Sequence, residues 1–307
     1  MSISMKKHAL RFYFKVGIEL LLLPVLYPFE AFKKLISSKA ALRAQTRRSP
    51  VQTNMVHVSV HEWGGYALER QKTIKHGSTF ICGLQHQLTR FKLPVEGYQL
   101  NLTVTISDME KHTQLGYIQA NAHQVIGVSN AGMDFSGYAT QYHRIKHLPN
   151  AYVILSNSSV EKDQQAFLEG YIGYMEENPE VGILGVSYCT KIYQTFVRNN
   201  FNPHIQSFFY LTTIDVLREI VALNGGQFPG HNISHKLLLI REAEVRVSKL
   251  ALKLGYQLAV VQENGKVYKF GKNHGWDNGF NNWKIPKGDV RQVNKWPNRI
   301  NKIKNAS

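Results

Sequence analysis

Ala151-Tyr-Val-Ile-Leu-Ser-Asn-Ser-Ser159 is the stretch that decides the fold of this chain. Tyr152 to Leu155 are large, apolar and bounded by small or polar residues, the composition of a short strand buried on both faces. The polar triplet Asn157-Ser158-Ser159 then stands where that strand ends. In an open α/β sheet, ligands sit at that edge, where strand ends and helix N-termini converge on one crevice.

Working outward, similar Val- and Ile-rich runs recur at 56–60, 100–106, 124–128, 182–186 and 207–211. Between them the apolar residues shift to helical spacing: Tyr138, Tyr142, Ile145 and Leu148; Phe167, Tyr171 and Met175; Ile214, Leu217 and Val221. Ser158 with Glu161 reads as a capping box opening the second of these helices. A further helix is expected over 242–254, stopped by Gly255. Strands alternating with helices predict an α/β fold with a mostly parallel, Rossmann-related sheet flanked by helices.

The net charge of +16 divides unevenly, with +8 in residues 1–50, +1 in 51–262 and +7 in 263–307. Two cationic ends on a near-neutral body point to contact with something acidic. Cys82 and Cys189 neither build a disulfide framework nor fit a metal-binding spacing. Three segments follow: a basic, apolar N-terminus (1–50), a near-neutral α/β domain (51–262) and a basic extension with Trp276, Trp283 and Trp296 (263–307).

Residues 12–32 are mostly apolar, but Lys15, Glu19, Glu30, Pro24 and Pro28 interrupt them, and a spanning helix wants about 20 apolar residues. Lys6, Lys7, Arg11, Lys33, Lys34 and Lys39 flank the run, so it reads as a membrane-surface or re-entrant anchor on an anionic leaflet. The alternative is a hydrophobic helix packed on the domain. Residues 43–52 read as a polar linker.

Several polar residues fall at predicted strand ends. Asp108 ends the 100–106 strand, where a carboxylate can accept hydrogen bonds from ribose hydroxyls or a base, or simply cap a turn. Asn130-Ala-Gly132-Met-Asp134 follows the next strand, and Gly132 permits a tight turn with Asn130 and Asp134 aimed at a ligand. His204-Ile-Gln-Ser-Phe-Phe209 contributes Gln206 and Ser207, while Phe208, Phe209 and Tyr210 read as core aromatics.

In order and spacing these segments resemble bacterial GT-A-type glycosyltransferases, most of all the rhamnan-synthesis F group of surface-polysaccharide enzymes. The match runs over roughly 54–262 and rests on Asn130-x-Gly-x-Asp134, Leu155-Ser-Asn-Ser-Ser-Val160, His204-Ile-Gln-Ser-Phe-Phe209, Glu244-Val-Arg-Val-Ser248 and Gly255-Tyr256. The resemblance implies transfer of a sugar from a nucleotide-sugar donor to a lipid-linked glycan acceptor, with inversion, at the cytoplasmic face of the membrane.

On that view Asp108, Asn130, Gly132, Asp134, Asn157, Ser158 and Ser159 bind the donor, and Gln206 and Ser207 meet the acceptor. Glu244, Glu242 or, in reserve, Asp215 takes the acceptor's proton. Many relatives hold Mg²⁺ or Mn²⁺ through an Asp-x-Asp where this chain has Asn157-Ser158-Ser159, so the divalent metal is left open, with His231 its one candidate ligand. Two other readings stand beside this one: a catalytically inactive scaffold of the same fold, and a nucleic-acid binder using the basic ends. The near-neutral body speaks against the latter.

Overall fold

A computed structural model of the chain describes residues 3–25, 28–29, 32, 46–73, 79–163, 166–189, 204–271 and 298–304. The tryptophans at 276, 283 and 296 lie outside the described residues, as does the side chain of Cys189.

In chain order the elements are α1 (Ile3–Leu21), β1 (Met55–Trp63), β2 (Arg70–Thr73), β3 (Thr79–Cys82), α2 (Leu84–Arg90), β4 (Gln99–Ser107), α3 (Leu115–Asn121), β5 (Gln124–Val128), α4 (Asp134–Ile145), β6 (Tyr152–Asn157), α5 (Leu168–Glu177), β7 (Val181–Gly185), β8 (Tyr188–Cys189), β9 (His204–Ile205), β10 (Phe209–Thr213) and α6 (Ile214–Leu223). Lys236–Leu239, a π-turn Ile240–Glu244 and Val245–Lys253 then form one continuous helix, α7, before β11 (Gln257–Val261) and β12 (Val267–Phe270).

Eight strands form one sheet in the order β12-β11-β7-β10-β6-β1-β4-β5. β5, β4, β1 and β6 are mutually parallel, as are β7 and β11, while β10 and β12 run against their neighbours. The fold is therefore α/β with a mostly parallel sheet flanked by helices. The chain leaves β1 toward β4 and β5 and returns to β6 on β1's other side. That reversal is a topological switch point, which opens a crevice at the carboxyl ends of β1 and β6.

Alternation along the strands makes two cores. Val153 and Leu155 of β6 face the α4, α6 and α7 layer with Tyr138, Tyr142, Leu217 and Val247. Tyr152 and Ile154 face the α2, α3 and α5 layer with Leu84, Ile118, Tyr171 and Met175. Each such side chain fully buried contributes roughly 1.5–3 kcal/mol. The α4 side of β1 and β4 is polar instead, with His61 paired to Thr105 in register. Gly137 of α4 lies so close that a Cβ there would sit 2.2 Å from Thr105 Oγ1. The small polar lining lets the helix N-terminus press onto the sheet.

Several local expectations change. No capping box forms: α5 begins at Leu168, and Ser158 faces inward to Glu62 and Arg70. The expected linker is packed in its described part. Arg48 is buried and donates to the carbonyls of Val181 (2.6 Å) and Met175, while Asn150 bonds the carbonyls of Ser49 and Pro50. The expected basic extension begins inside the sheet, since β12 closes the sheet edge, and residues 298–304 return to the body through Asn298 and Arg299. The last helix starts earlier than expected and ends in a Schellman motif, with Tyr256 N–H bonded to Ala251 O and Gly255 at φ 97°.

α1 packs along α7 through one face. His8 Nδ1 lies 3.0 Å from Ser234 Oγ, the Phe12 ring lies 5.4 Å from that of His235 in a tilted contact, Lys15 pairs with Glu242, and Glu19 pairs with Arg241. Among the described residues no helix is long and apolar enough to cross a membrane.

Candidate functional site

Among the described residues only Asp108 (φ 51°) and Met133 (φ 48°) combine a side chain with left-handed φ, and both stand at the carboxyl edge of the sheet. Such backbone strain persists where the surroundings over-determine it and clusters at functional sites. Asp108 is held by three donors: Trp63 Nε1 (3.0 Å), Lys111 Nζ (2.9 Å) and Asn130 Nδ2 (3.4 Å). The Lys111 and Trp63 bonds hold its carboxyl below the ordinary range. Gly64 makes the β1 end fit against this turn, because a Cβ there would sit 2.1 Å from Asp108 O.

Met133 turns the chain into α4 so that Asp134 occupies its first turn, where the helix dipole favours an anion. Asn157 Nδ2 donates to Asp134 Oδ2 at 2.7 Å, joining the ends of β5 and β6. Gly132 packs beneath the loop after α6, since a Cβ there would meet His231 O at 2.5 Å. Ser136 Oγ ties the two segments, accepting from Gly132 N–H and donating to His231 O.

Behind these groups lies a cluster that pattern reading missed. Glu62 at the end of β1 is almost wholly buried. It accepts from Ser158 Oγ (2.7 Å), its neighbour Trp63 N–H (2.9 Å) and Arg70 Nη1 (3.3 Å), and Arg70 Nη2 donates to Ser158 Oγ (2.7 Å). Burial raises the Glu62 carboxyl, and Arg70 partly offsets this. Arg70 also lies 4.0 Å over the ring of Tyr66, which meets Trp63 edge-to-face at 4.9 Å.

The antiparallel ribbon β2–β3 that carries Arg70 also brings Lys72 over the crevice, 5.9 Å above Phe208. Burial lowers the Lys72 ammonium, with Arg70 and Lys236 acting in the same direction and Cys82 and Asp134 opposing them. The only sequence-level signal for this ribbon was a pair of cations two residues apart, which places both on one face of a strand.

The remaining expected residues divide. Ser158 is committed to Glu62 and Arg70, and Ser159 donates its N–H to Asn157 Oδ1 while its carbonyl accepts from Asn298, so neither hydroxyl is held toward the crevice by these bonds. Gln206 closes onto the end of β7, with its N–H on Ser187 O (2.9 Å) and its amide oxygen accepting from Ser187 Oγ. Ser207 donates both N–H (2.8 Å) and Oγ (2.9 Å) to Glu244 Oε2, and its carbonyl accepts from Tyr138 OH.

Glu244 is thus a buried anchor for the β9–β10 segment, with His204 Nε2 at 3.3 Å from its other oxygen. Glu242, two residues earlier on the π-turn, pairs with Lys15 of α1 and lies 4.0 Å from Arg246. Asp215 follows the antiparallel β10 and so lies at the opposite edge of the sheet, paired with Arg218. Phe209 and Tyr210 are core, as expected, whereas Phe208 is only half-buried, beneath Lys72.

A hard divalent cation wants several carboxylate oxygens. Where an Asp-x-Asp would stand, the chain offers Asn157, Ser158 and Ser159, and the Asn157 amide points its NH₂, a donor, at the nearest carboxylate, Asp134. The donor set does not fit such an ion. His231 Nδ1 is engaged by Phe228 O and Nε2 by Asn232, and among the described residues no three His, Cys, Asp or Glu side chains cluster as metal ligands.

His61, fully buried beneath α4, lies 3.2 Å from Thr105 Oγ1. Burial lowers its proton affinity in the folded state, with Asp134 opposing. Below its ordinary value of 6.5 the unfolded chain therefore binds more protons than the folded one. Its stabilising contribution is full above pH 6.5 and is lost as pH falls through the lowered folded value. The melting temperature should drop on acidification below pH 6.5, and a His61→Gln protein should show a shallower drop in the same scan.

Compared with models of known protein families and with curated proteins, the chain matches none.

Proposed function

We infer that the chain is a glycosyltransferase with a GT-A-like fold, which binds a nucleotide sugar across the carboxyl ends of β1, β4, β5 and β6. What carries the reading is one juxtaposition at the switch point: Asp108 beside Asn130, Asp134 beside Asn157, and the half-buried cation Lys72 near Asp134. A nucleoside diphosphate needs acceptors for its ribose hydroxyls, a surface for its base and cations for its phosphates. Asp108 supplies the first and the exposed ring of Tyr66 the second. Lys72 supplies the third, stabilising the leaving diphosphate without a metal.

Asp134 is the carboxylate best placed to take the acceptor's proton. Glu244 is engaged by Ser207, Glu242 faces α1, and Asp215 is at the other edge. Glu244 acts through position instead, fixing Gln206 and Ser207 where the acceptor enters. The acceptor is a lipid-linked glycan, and the enzyme works at the cytoplasmic face of the membrane in surface-polysaccharide synthesis. The resemblance in motif order supports these last assignments.

A Lys72→Met protein tests the donor half. A hydrogen bond to a charged group contributes about 1.5–3 kcal/mol, so calorimetric affinity for the matching nucleoside diphosphate should fall roughly 10- to 100-fold. Unchanged affinity would remove Lys72, and with it the metal-free account of diphosphate binding.

A further inference from the structure

The face of α1 opposite its docking face is apolar and bare. His8, Phe12, Lys15 and Glu19 point at α7 and the loop before it. About half a helical turn away stand Leu10 (72 % exposed), Phe14 and Leu21 (82 % exposed), continued beyond the helix by Val25 and Phe29. Lys6 and Lys7 are exposed toward the N-terminal end of the same side.

Beside this face a groove runs between α1 and α7. Its apolar lining includes Phe14, Ile18 and Leu22, and its walls carry Arg11, Lys15, Arg241, Arg246 and Lys249 against Glu19 and Glu242, an excess of three positive charges. A stripe of large apolar residues next to a cationic groove matches the profile of an anionic bilayer surface, with acyl chains below and phosphates above.

We propose that α1 lies in the plane of an anionic lipid bilayer, with Leu10, Phe14 and Leu21 inserted among the acyl chains and lipid phosphates seated at Arg11, Arg246 and Lys249. The inner face of the helix is ion-paired to α7, which links the membrane contact to the body that carries the crevice. His8 and Phe12 touch Ser234 and His235, and the same loop carries His231, which packs on the Gly132 turn before Asp134. Delivery of a lipid-linked acceptor to that crevice rests on the transferase reading, whereas the lipid contact does not.

Co-sedimentation of the full chain with vesicles tests it, using phosphatidylcholine alone and phosphatidylcholine with one-third phosphatidylglycerol. The expected result is binding to the anionic vesicles, weakened by salt and by Arg11→Gln/Arg246→Gln. A Leu10→Glu/Leu21→Glu protein, altered only at exposed positions, should lose at least about tenfold in partitioning while keeping its melting temperature and its thermal shift with sugar nucleotides. Equal binding of that variant, or equal binding to neutral vesicles, would overturn the proposal. So would a wild-type dimer in sedimentation velocity that the same variant dissociates while vesicles bind neither protein, since a second copy would then cover the face. Loss of nucleotide response with vesicle binding intact would count against the transferase alone.

Discussion

An Asp134→Asn protein should transfer sugar at least about 100-fold more slowly than the wild type while melting within a few degrees of it. The substitution keeps the shape of the side chain and an oxygen able to accept from Asn157 Nδ2, so the link between the β5 and β6 ends survives. It removes the negative charge at the first turn of α4, beside Lys72. A positioned general base contributes about 10²–10⁴-fold, which sets the size of the effect. Steady-state release of nucleoside diphosphate separates the possible roles. A fall in kcat with KM unchanged identifies Asp134 as the base, whereas a rise in KM alone assigns it to donor binding. Wild-type kinetics would remove Asp134 from the site.

The largest effect on stability is expected from Glu62→Ala. The change leaves Arg70 in a mostly buried position without its carboxylate, and leaves Ser158 Oγ without the acceptor it donates to. Breaking a buried pair by removing one partner destabilises by about 3–5 kcal/mol, because the remaining charge is uncompensated. Urea unfolding measures this directly. Since β2 carries both Arg70 and Lys72, donor affinity should decline in the same protein. A loss under about 1 kcal/mol would mean that Arg70 swings to solvent, and that Glu62 does not hold the ribbon over the crevice.

Much of the sheet was readable from local pattern. The Val- and Ile-rich runs became β1, β4, β5, β6 and β7: β6 and β7 are buried along their whole length, whereas β1 and β4 keep Val, Leu and Ile on one face and His, Ser and Thr on the other. The direction of β10 was not readable, since antiparallel pairing with β6 and β7 depends on where the chain re-enters the sheet. The ribbon β2–β3 was missed because Arg70-Gln-Lys-Thr73 has no apolar alternation, and its place is set by the buried Glu62 and the distant Ser158.

The candidate site was legible to the same degree. Asp108, Asn130, Asp134 and Asn157 follow directly from strand ends, and the structure gathers them. Ser158 and Glu161 satisfied a local capping rule, but Ser158 found a buried carboxylate 96 residues away and tertiary contact prevailed. Glu244 was readable as a carboxylate but not its direction: two residues apart on one helix, Glu244 faces inward to Ser207 while Glu242 faces α1.

The central claim is that the carboxyl edge of the sheet binds a nucleotide sugar, and a thermal-shift screen of the full chain tests it most directly. UDP-, GDP-, CMP- and dTDP-sugars would each be added with and without Mn²⁺. A ligand at 100 times its dissociation constant adds about 2.7 kcal/mol to stability. The predicted result is a raised melting temperature with one nucleotide class, equal in size with and without the metal, and abolished or reduced in Lys72→Met. No shift with any donor in a folded sample would contradict the account.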